Sequence, residues 1–292
     1  DAAIRVGLAA IAGLAAAGDR ADAPVLRTMV EQAASDRRRA AAWALGELRD
    51  PASIDVLATA LSSREDRLAG DAAWALGEIL TAHPKHPQAT TLLDRWLHAG
   101  KLGGWAASVN STAAIARLLW ATPVEGRAAL LAQDRRAKLL NLVFHRSRLV
   151  RINAAHALAS LPPDDDITKA LGALLRDDIS PHVRIAAARA MQRLGGPKAQ
   201  AALKNAASDL DVEVRAAAKL VPPAPPARTE WRTFYVVDPS ADDAAVRQEQ
   251  YFVHATDGLV WATYTDARGE LTSEHVPPGD TIVWPATRET EY

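Results

Sequence analysis

Arg38-Arg39-Ala40-Ala41-Ala42-Trp43-Ala44-Leu45-Gly46-Glu47-Leu48 decides the fold, because Asp71-Ala72-Ala73-Trp74-Ala75-Leu76-Gly77-Glu78-Ile79 copies it 31 residues later. Both stretches read as helices. Alanine has the highest helix propensity, and its small side chain lets neighbouring helices approach closely. A second form of the copy is Val150-Arg151-Ile152-Asn153-Ala154-Ala155, repeated at Val183-Arg184-Ile185-Ala186-Ala187-Ala188 and Val214-Arg215-Ala216-Ala217-Ala218. Ile4-Arg5-Val6-Gly7-Leu8-Ala9 is looser. Val109-Asn110-Ser111-Thr112-Ala113-Ala114 diverges most, with Asn110 where the others carry Arg. Aligned on these motifs, Ala10, Trp43, Trp74, Ile115, His156, Arg189 and Leu220 are equivalent, at steps of 33, 31, 41, 41, 33 and 31 residues. Two helices and two turns fit in the shorter steps. The two steps of 41 imply insertions in the middle of the array.

Partner helices lie between the motif helices. Ile54, Leu57 and Leu61 form one apolar stripe, Leu92, Leu93, Trp96 and Leu97 another, then Leu139, Leu140, Leu142 and Val143, then Ile167, Leu171, Leu174 and Leu175. This spacing is helical. Asp50-Pro51, Thr122-Pro123, Pro162-Pro163, Ser180-Pro181 and Gly195-Gly196-Pro197 punctuate the helices. Stacked in this way, each unit buries its apolar face on the next and none is stable alone. The divergent, insertion-flanked stretch 81–134 is the expected soft point.

Val221-Pro222-Pro223-Ala224-Pro225-Pro226-Ala227 cannot continue a helix and reads as a semi-rigid linker. Beyond it the pattern is β. Trp231, Thr233, Tyr235 and Val237 alternate with Arg232, Phe234 and Val236. Residues 251–256 face 259–264 across Asp257-Gly258, which predicts a hairpin with a two-residue turn. Further turns are expected at 267–269 and 277–280, and a last strand at 281–284. This region of about 65 residues is short for a full sandwich and needs the helical part, or further residues, to cover one face.

The chain of 292 residues has 49% apolar and 24% charged residues and no cysteine, which excludes disulfides, thiolate metal sites and cysteine nucleophiles but leaves the compartment open. No run of about 18 apolar residues predicts a membrane span. The net charge is −1, yet from Arg228 onward there are 5 basic and 12 acidic residues, leaving 29 basic and 23 acidic before it. A mildly basic body with an acidic end attracts acidic partners or its own tail. The chain starts at Asp1 with helical spacing already present at Ile4, Leu8, Ile11 and Leu14, so it is expected to be a trimmed end of a longer protein.

Asp211-Val212-Glu213-Val214-Arg215-Ala216-Ala217-Ala218, after a helix over 197–207, resembles the HEAT repeat, specifically the bacterial subtype also found in phycobilisome lyases. The resemblance implies an Asp–Arg ladder linking successive repeats, carried here by Asp36 with Arg38, Asp178 with Arg184, and Asp209 or Asp211 with Arg215, and interrupted at Asn110. Asp257-Gly258-Leu259-Val260, Thr265-Asp266-Ala267-Arg268-Gly269-Glu270 and Val276-Pro277-Pro278-Gly279-Asp280 resemble transthyretin-like or carboxypeptidase-regulatory modules, which are mostly extracytoplasmic and non-catalytic. The expected fold is therefore mainly α: a HEAT-type α-solenoid over 1–221, the linker over 222–227, and a small antiparallel β domain over 228–292.

Candidate chemistry is sparse. His83, His86 and His98 fall in a proline-flanked insertion with no carboxylate at ligand spacing, so no metal is predicted. Arg135, Arg136, Lys138, Arg146, Arg148 and Arg151, with His145, form the densest basic cluster, but the body's modest charge disfavours nucleic acid. Glu47 and Glu78 are copies of one another, whereas a catalytic pair is a unique constellation. No Ser-His-Asp signature, phosphate-cradling glycine loop or His-Glu-x-x-His motif occurs. The reading is a non-catalytic protein-binding scaffold without cofactor, using the face formed by the second helix of each repeat. Its alternatives are a lyase or nucleic-acid base-modifying enzyme on HEAT-like repeats, or a structural subunit of a larger assembly. Trp43 and Trp74, at equivalent positions, are assigned to the core. Trp105 and Trp120, with Arg146, Arg148 and Arg151, are the expected contact residues for another protein or an acidic or amphipathic segment, the chain's own β domain included.

Overall fold

The computed structural model describes residues 10–15, 17–219, 230–235, 237–238, 244–245, 250–255, 258–265, 270–276 and 281–285. The linker 222–227, the loose copy at 4–9 and the turns at 267–269 and 277–280 lie outside these. Helices alternate in pairs: α1 (Ala23–Gln32) with α2 (Ser35–Leu48), α3 (Ile54–Ala60) with α4 (Asp66–Ala82), and α5 (Ala89–Leu102) with α6 (Trp105–Ala121). A short extra helix, α7 (Val124–Leu130), precedes α8 (Gln133–Asn141) with α9 (Arg148–Leu158), α10 (Asp165–Asp177) with α11 (Pro181–Leu194), and α12 (Gly196–Ala206) with α13 (Val212–Lys219). The first 41-residue step is taken up by the longer α4 and α5 and the loop between them, the second by α7. Local chemistry sets the starts: the Asp164 carboxylate caps α10 by accepting from Ile167 N–H at 2.9 Å, and proline occupies the first turn of α1, α11 and α12.

Each second helix packs on the next, α2 on α4, α4 on α6, α6 on α9, α9 on α11 and α11 on α13, which makes a solenoid. Leu45, Leu76, Ile79, Ile115, Leu158 and Met191 are buried between them. The glycine in each Trp-Ala-Leu-Gly copy follows from this closeness. A Cβ on Gly46 would sit 2.7 Å from the Ala75 backbone, and one on Gly77 would sit 2.9 Å from Ala114 Cβ. Trp74 is buried, but Trp43 at the equivalent position is only half-buried, stacked on Trp74 with ring centroids 6.1 Å apart.

The Asp–Arg ladder exists in a different pairing from the expected one. Arg151 holds Asp178 with two bonds of 2.7 and 2.9 Å, and Arg184 holds Asp209 at 2.9 and 3.0 Å. The ion pair thus joins the Arg of one repeat to the Asp of the next. Within its own repeat each Arg donates to carbonyls, Arg184 to that of Asp178 and Arg215 to that of Asp209. In the first motif Arg39, not Arg38, pairs across repeats, with Asp71 at 3.0 Å; Arg38 donates to the Val30 carbonyl. At the divergent repeat Asp66 replaces the ladder by accepting from the N–H groups of Ala106 and Ala107, at the α6 N-terminus.

The C-terminal region forms small antiparallel sheets. β1 (Glu230–Tyr235) pairs with β6 (Glu270–Val276), β2 (Val237–Asp238) with β3 (Ala244–Ala245), and β4 (Gln250–His254) lies between β5 (Val260–Tyr264) and β7 (Ile282–Pro285). The β4–β5 connection is one residue longer than the sequence suggests. Ala255 N–H bonds Leu259 carbonyl at 3.0 Å, so three residues separate the closing pair, and Gly258 takes the left-handed φ of +92°. That is the glycine position of a three-residue hairpin loop.

Candidate functional site

The helical repeats hold the edge of the β sheet. The Ala255–Leu259 bond fixes the hydrogen-bond alternation of the hairpin, so Trp261 and Thr263 turn their main-chain groups toward β4. Val260 and Ala262 turn theirs to the outer edge, where an unpaired strand is a liability. Two buried asparagines close that edge. Asn153 of α9 accepts from Val260 N–H at 2.9 Å and donates to Val260 carbonyl at 2.8 Å. Asn110 of α6 accepts from Ala262 N–H at 2.7 Å and donates to Ala262 carbonyl at 3.2 Å. Each amide group also donates to a carbonyl of the preceding second helix, Asn110 to Gly70 and Asn153 to Val109. Those anchors fix which way each amide faces. The strand therefore crosses α9 and then α6 like a rail on two brackets.

Side chains flank the brackets on both faces of the sheet. Trp105, the first residue of α6, meets Phe252 edge-to-face at 4.2 Å between centroids. Arg117, further along α6, lies over the Trp261 ring at 4.9 Å and pairs with the buried Glu78 carboxylate, which also accepts from Arg49 at 3.1 Å. Glu78 thus serves a structural chain of contacts reaching the hairpin.

At the hairpin turn, histidines take over. Arg193 donates to His156 Nδ1 at 3.2 Å, and because arginine only donates, the proton of His156 sits on Nε2. That nitrogen points at Gly258, where a Cβ would come within 2.3 Å of it. Trp120 packs edge-on against His156 and carries Arg193 over its face, 5.2 Å from the centroid. Burial, then Arg193, His254 and Arg189, push the His156 pKa well below its usual value. Burial, then Arg189 and His182, bring His254 of β4 down to about 4. Both rings are thereby kept neutral.

Of the five expected contact residues, Trp105 and Trp120 stand at opposite ends of α6, Trp105 against Phe252 of the hairpin and Trp120 against His156 of the latch. Arg151 belongs to the ladder with Asp178 and also donates to the Arg146 carbonyl. Arg146 is exposed, Arg148 opens α9 half-buried, and Phe144 beside them is 76% exposed. The loop histidines act on backbone: His83 Nε2 contacts the Arg49 carbonyl, and His86 Nδ1 accepts from Gln88 N–H. No group of three or more metal-ligating side chains occurs among the described residues, and no described helix is long and apolar enough to cross a membrane.

A family model described as HEAT repeats matches residues 1–77, 32–101 and 136–221, more than half of the chain. This chain belongs to the HEAT-repeat family. No protein of curated function matches it. Two crystal structures described as engineered proteins are similar to the HEAT solenoid. One has 21% identity and a TM-score of 0.54 over 68% of this chain and 94% of its own; the other has 20%, 0.52, 68% and 96%. At that identity they show the fold alone. Human deoxyhypusine hydroxylase in complex with glycerol, at 18% identity over 72% of this chain and 86% of its own, superposes with a TM-score of only 0.33.

Sequence reasoning marked Asn110 only as a gap in the HEAT ladder and passed over Asn153. The signal was present: Asn110 replaces the arginine of other copies, Asn153 stands where the next two copies have Ala186 and Ala217, and the column Trp43, Trp74, Ile115 turns to His156 and Arg189. The polar change falls where the hairpin docks.

Proposed function

We propose that the chain is a non-catalytic protein-binding scaffold whose second-helix face is the contact face. The observation that supports this most is that the face already binds an extended polypeptide, its own β5, through two buried side-chain amides. A further contact surface is the rim at the start of α9, the exposed Phe144 and Arg146 with the half-buried Arg148, Arg151 holding the turn that presents them, while Trp120 packs on His156 toward the other end of the same helix. Aromatic and arginine side chains are enriched among interface hot spots, and this rim is basic, which fits an acidic or amphipathic segment. The transthyretin-like likeness of the β domain and the lyase-like subtype remain parts of this proposal that bear on compartment and ancestry, not on the contact face.

Site-specific photocrosslinking tests it. A crosslinker at positions 120, 144 or 148 of the full chain should give a discrete protein adduct in cells, and the same group at 138 or 176, on the first helices, should not. Adducts confined to the first-helix positions, or absent throughout, would reject the reading.

A further inference from the structure

We propose that the Asn110–Asn153 pair is a main-chain receptor for an extended peptide, and that β5 is its resident, exchangeable occupant. The incoming ligand is an extended segment of another polypeptide with an aromatic residue between two small or β-branched ones, the pattern of Val260-Trp261-Ala262. The proposal rests on the scaffold reading only for the choice of face.

The receptor is built independently of what it holds. Both asparagines are buried, 1% and 0% exposed, and each is oriented by a helix carbonyl, Gly70 for Asn110 and Val109 for Asn153. Each presents one acceptor and one donor to one residue of the strand. The two residues held are Val260 and Ala262, so the spacing matches alternate positions of any extended chain. None of these four bonds reads a side chain. Side-chain preference comes only from the flanks, where Arg117 stacks on Trp261. The adjoining face carries Trp105, which in the closed chain meets Phe252 of β4.

The tethered hairpin competes at an effective concentration in the millimolar range, so a peptide in trans is expected to bind only when the hairpin is loosened. Contacts outside the asparagine pair also hold it, among them Gly258 against His156 and Trp261 on Arg117, beside Trp105 on Phe252. Gly258→Val combined with Trp261→Ala in the full chain should release it, visible as fast amide exchange over 258–264 with helical circular dichroism retained.

The probe is a fluorescent peptide of sequence Leu-Val-Trp-Ala-Thr-Tyr, residues 259–264. The released chain should bind it at least about tenfold more tightly than the wild-type chain, in line with the loss of a tethered competitor. Adding Asn110→Ala and Asn153→Ala should weaken it about tenfold or more. N-methylation of the peptide's Val and Ala amides should weaken it similarly, whereas N-methylation of its Trp amide should not. Absence of binding by a folded, released chain would overturn the proposal. So would binding indifferent to the asparagines or to which amides are methylated, or a hairpin that stays protected in the double variant. Crosslinks from positions 120, 144 and 148 that persist while the peptide fails would leave the scaffold reading standing and remove only the receptor.

Discussion

The amide of Asn153 spans one residue of a neighbouring strand, and so does that of Asn110. Replacing either by alanine strands a buried N–H and a carbonyl, at a cost of about 1–3 kcal/mol each to hairpin docking. Replacement by aspartate should cost more than alanine, since it keeps the acceptor, loses the donor facing two carbonyls and adds a buried charge. Amide-exchange opening free energies over 258–264 measure both; equal effects of alanine and aspartate would contradict the assigned orientation. The histidine latch gives docking a pH dependence with a definite sign. The pKa values of His254 and His156 are depressed in the docked state, so the docked form binds fewer protons. Its stability is full above about pH 6.5 and falls as the pH drops toward 4, by up to about 3 kcal/mol for His254 alone. Protonated His156 would also set an Nδ1–H against the Arg193 guanidinium. Exchange over 258–264 should accelerate between pH 7 and 4.5 while the helices stay protected; pH-independent exchange, after correction for intrinsic rates, would exclude the latch. These pairings were not legible in the sequence, because Asn153 and Val260 lie 107 residues apart and no periodicity links them. Legible was the break in the repeat itself, Asn110 in place of an arginine and Asn153 where later copies have Ala186 and Ala217.

Elements were legible where packing repeats. Copies of Trp-Ala-Leu-Gly located α2 and α4, and the Val-Arg copies located α9, α11 and α13, because each second helix meets the same neighbours in the same way. Trp43 and Trp74 show the limit of that equivalence. Trp74 is buried, whereas Trp43, stacked against it, is only half-buried. Trp74→Ala should therefore cost about 3–5 kcal/mol and Trp43→Ala distinctly less, read from urea unfolding midpoints; equal losses would contradict the difference in burial. The insertion behaves as two different things. The stretch 81–134 is the expected soft point, yet α6 within it is buried along nearly its whole length under α4, α9 and the hairpin. Only α7 has no buried residue. Exchange should be fast in α7 and slow in α6, and a slow α7 would show that exposure is not what sets local stability here.

At the scale of the whole molecule, the β region is a clasp laid across the solenoid and held by it. The sequence told apart a helical-repeat body and a β end, and the shortness of that end already required a covering surface. It did not say which surface, because the answer lies in side chains that interrupt the repeat. The charge contrast between the two parts suggested attraction, but the described contact is made by neutral amides, neutral histidines, an edge-to-face ring pair and the Arg117 guanidinium over Trp261. The most direct test of this architecture is residue-resolved amide exchange along β5 in the wild-type chain at neutral pH. A free hairpin protects only Trp261 and Thr263, whose N–H groups face β4, and leaves Val260 and Ala262 open to water. The clasped strand predicts protection of all four, with Val260 and Ala262 losing it in Asn153→Ala and Asn110→Ala respectively. An alternating pattern in the wild-type chain, with Val260 and Ala262 exchanging fast, would contradict the account.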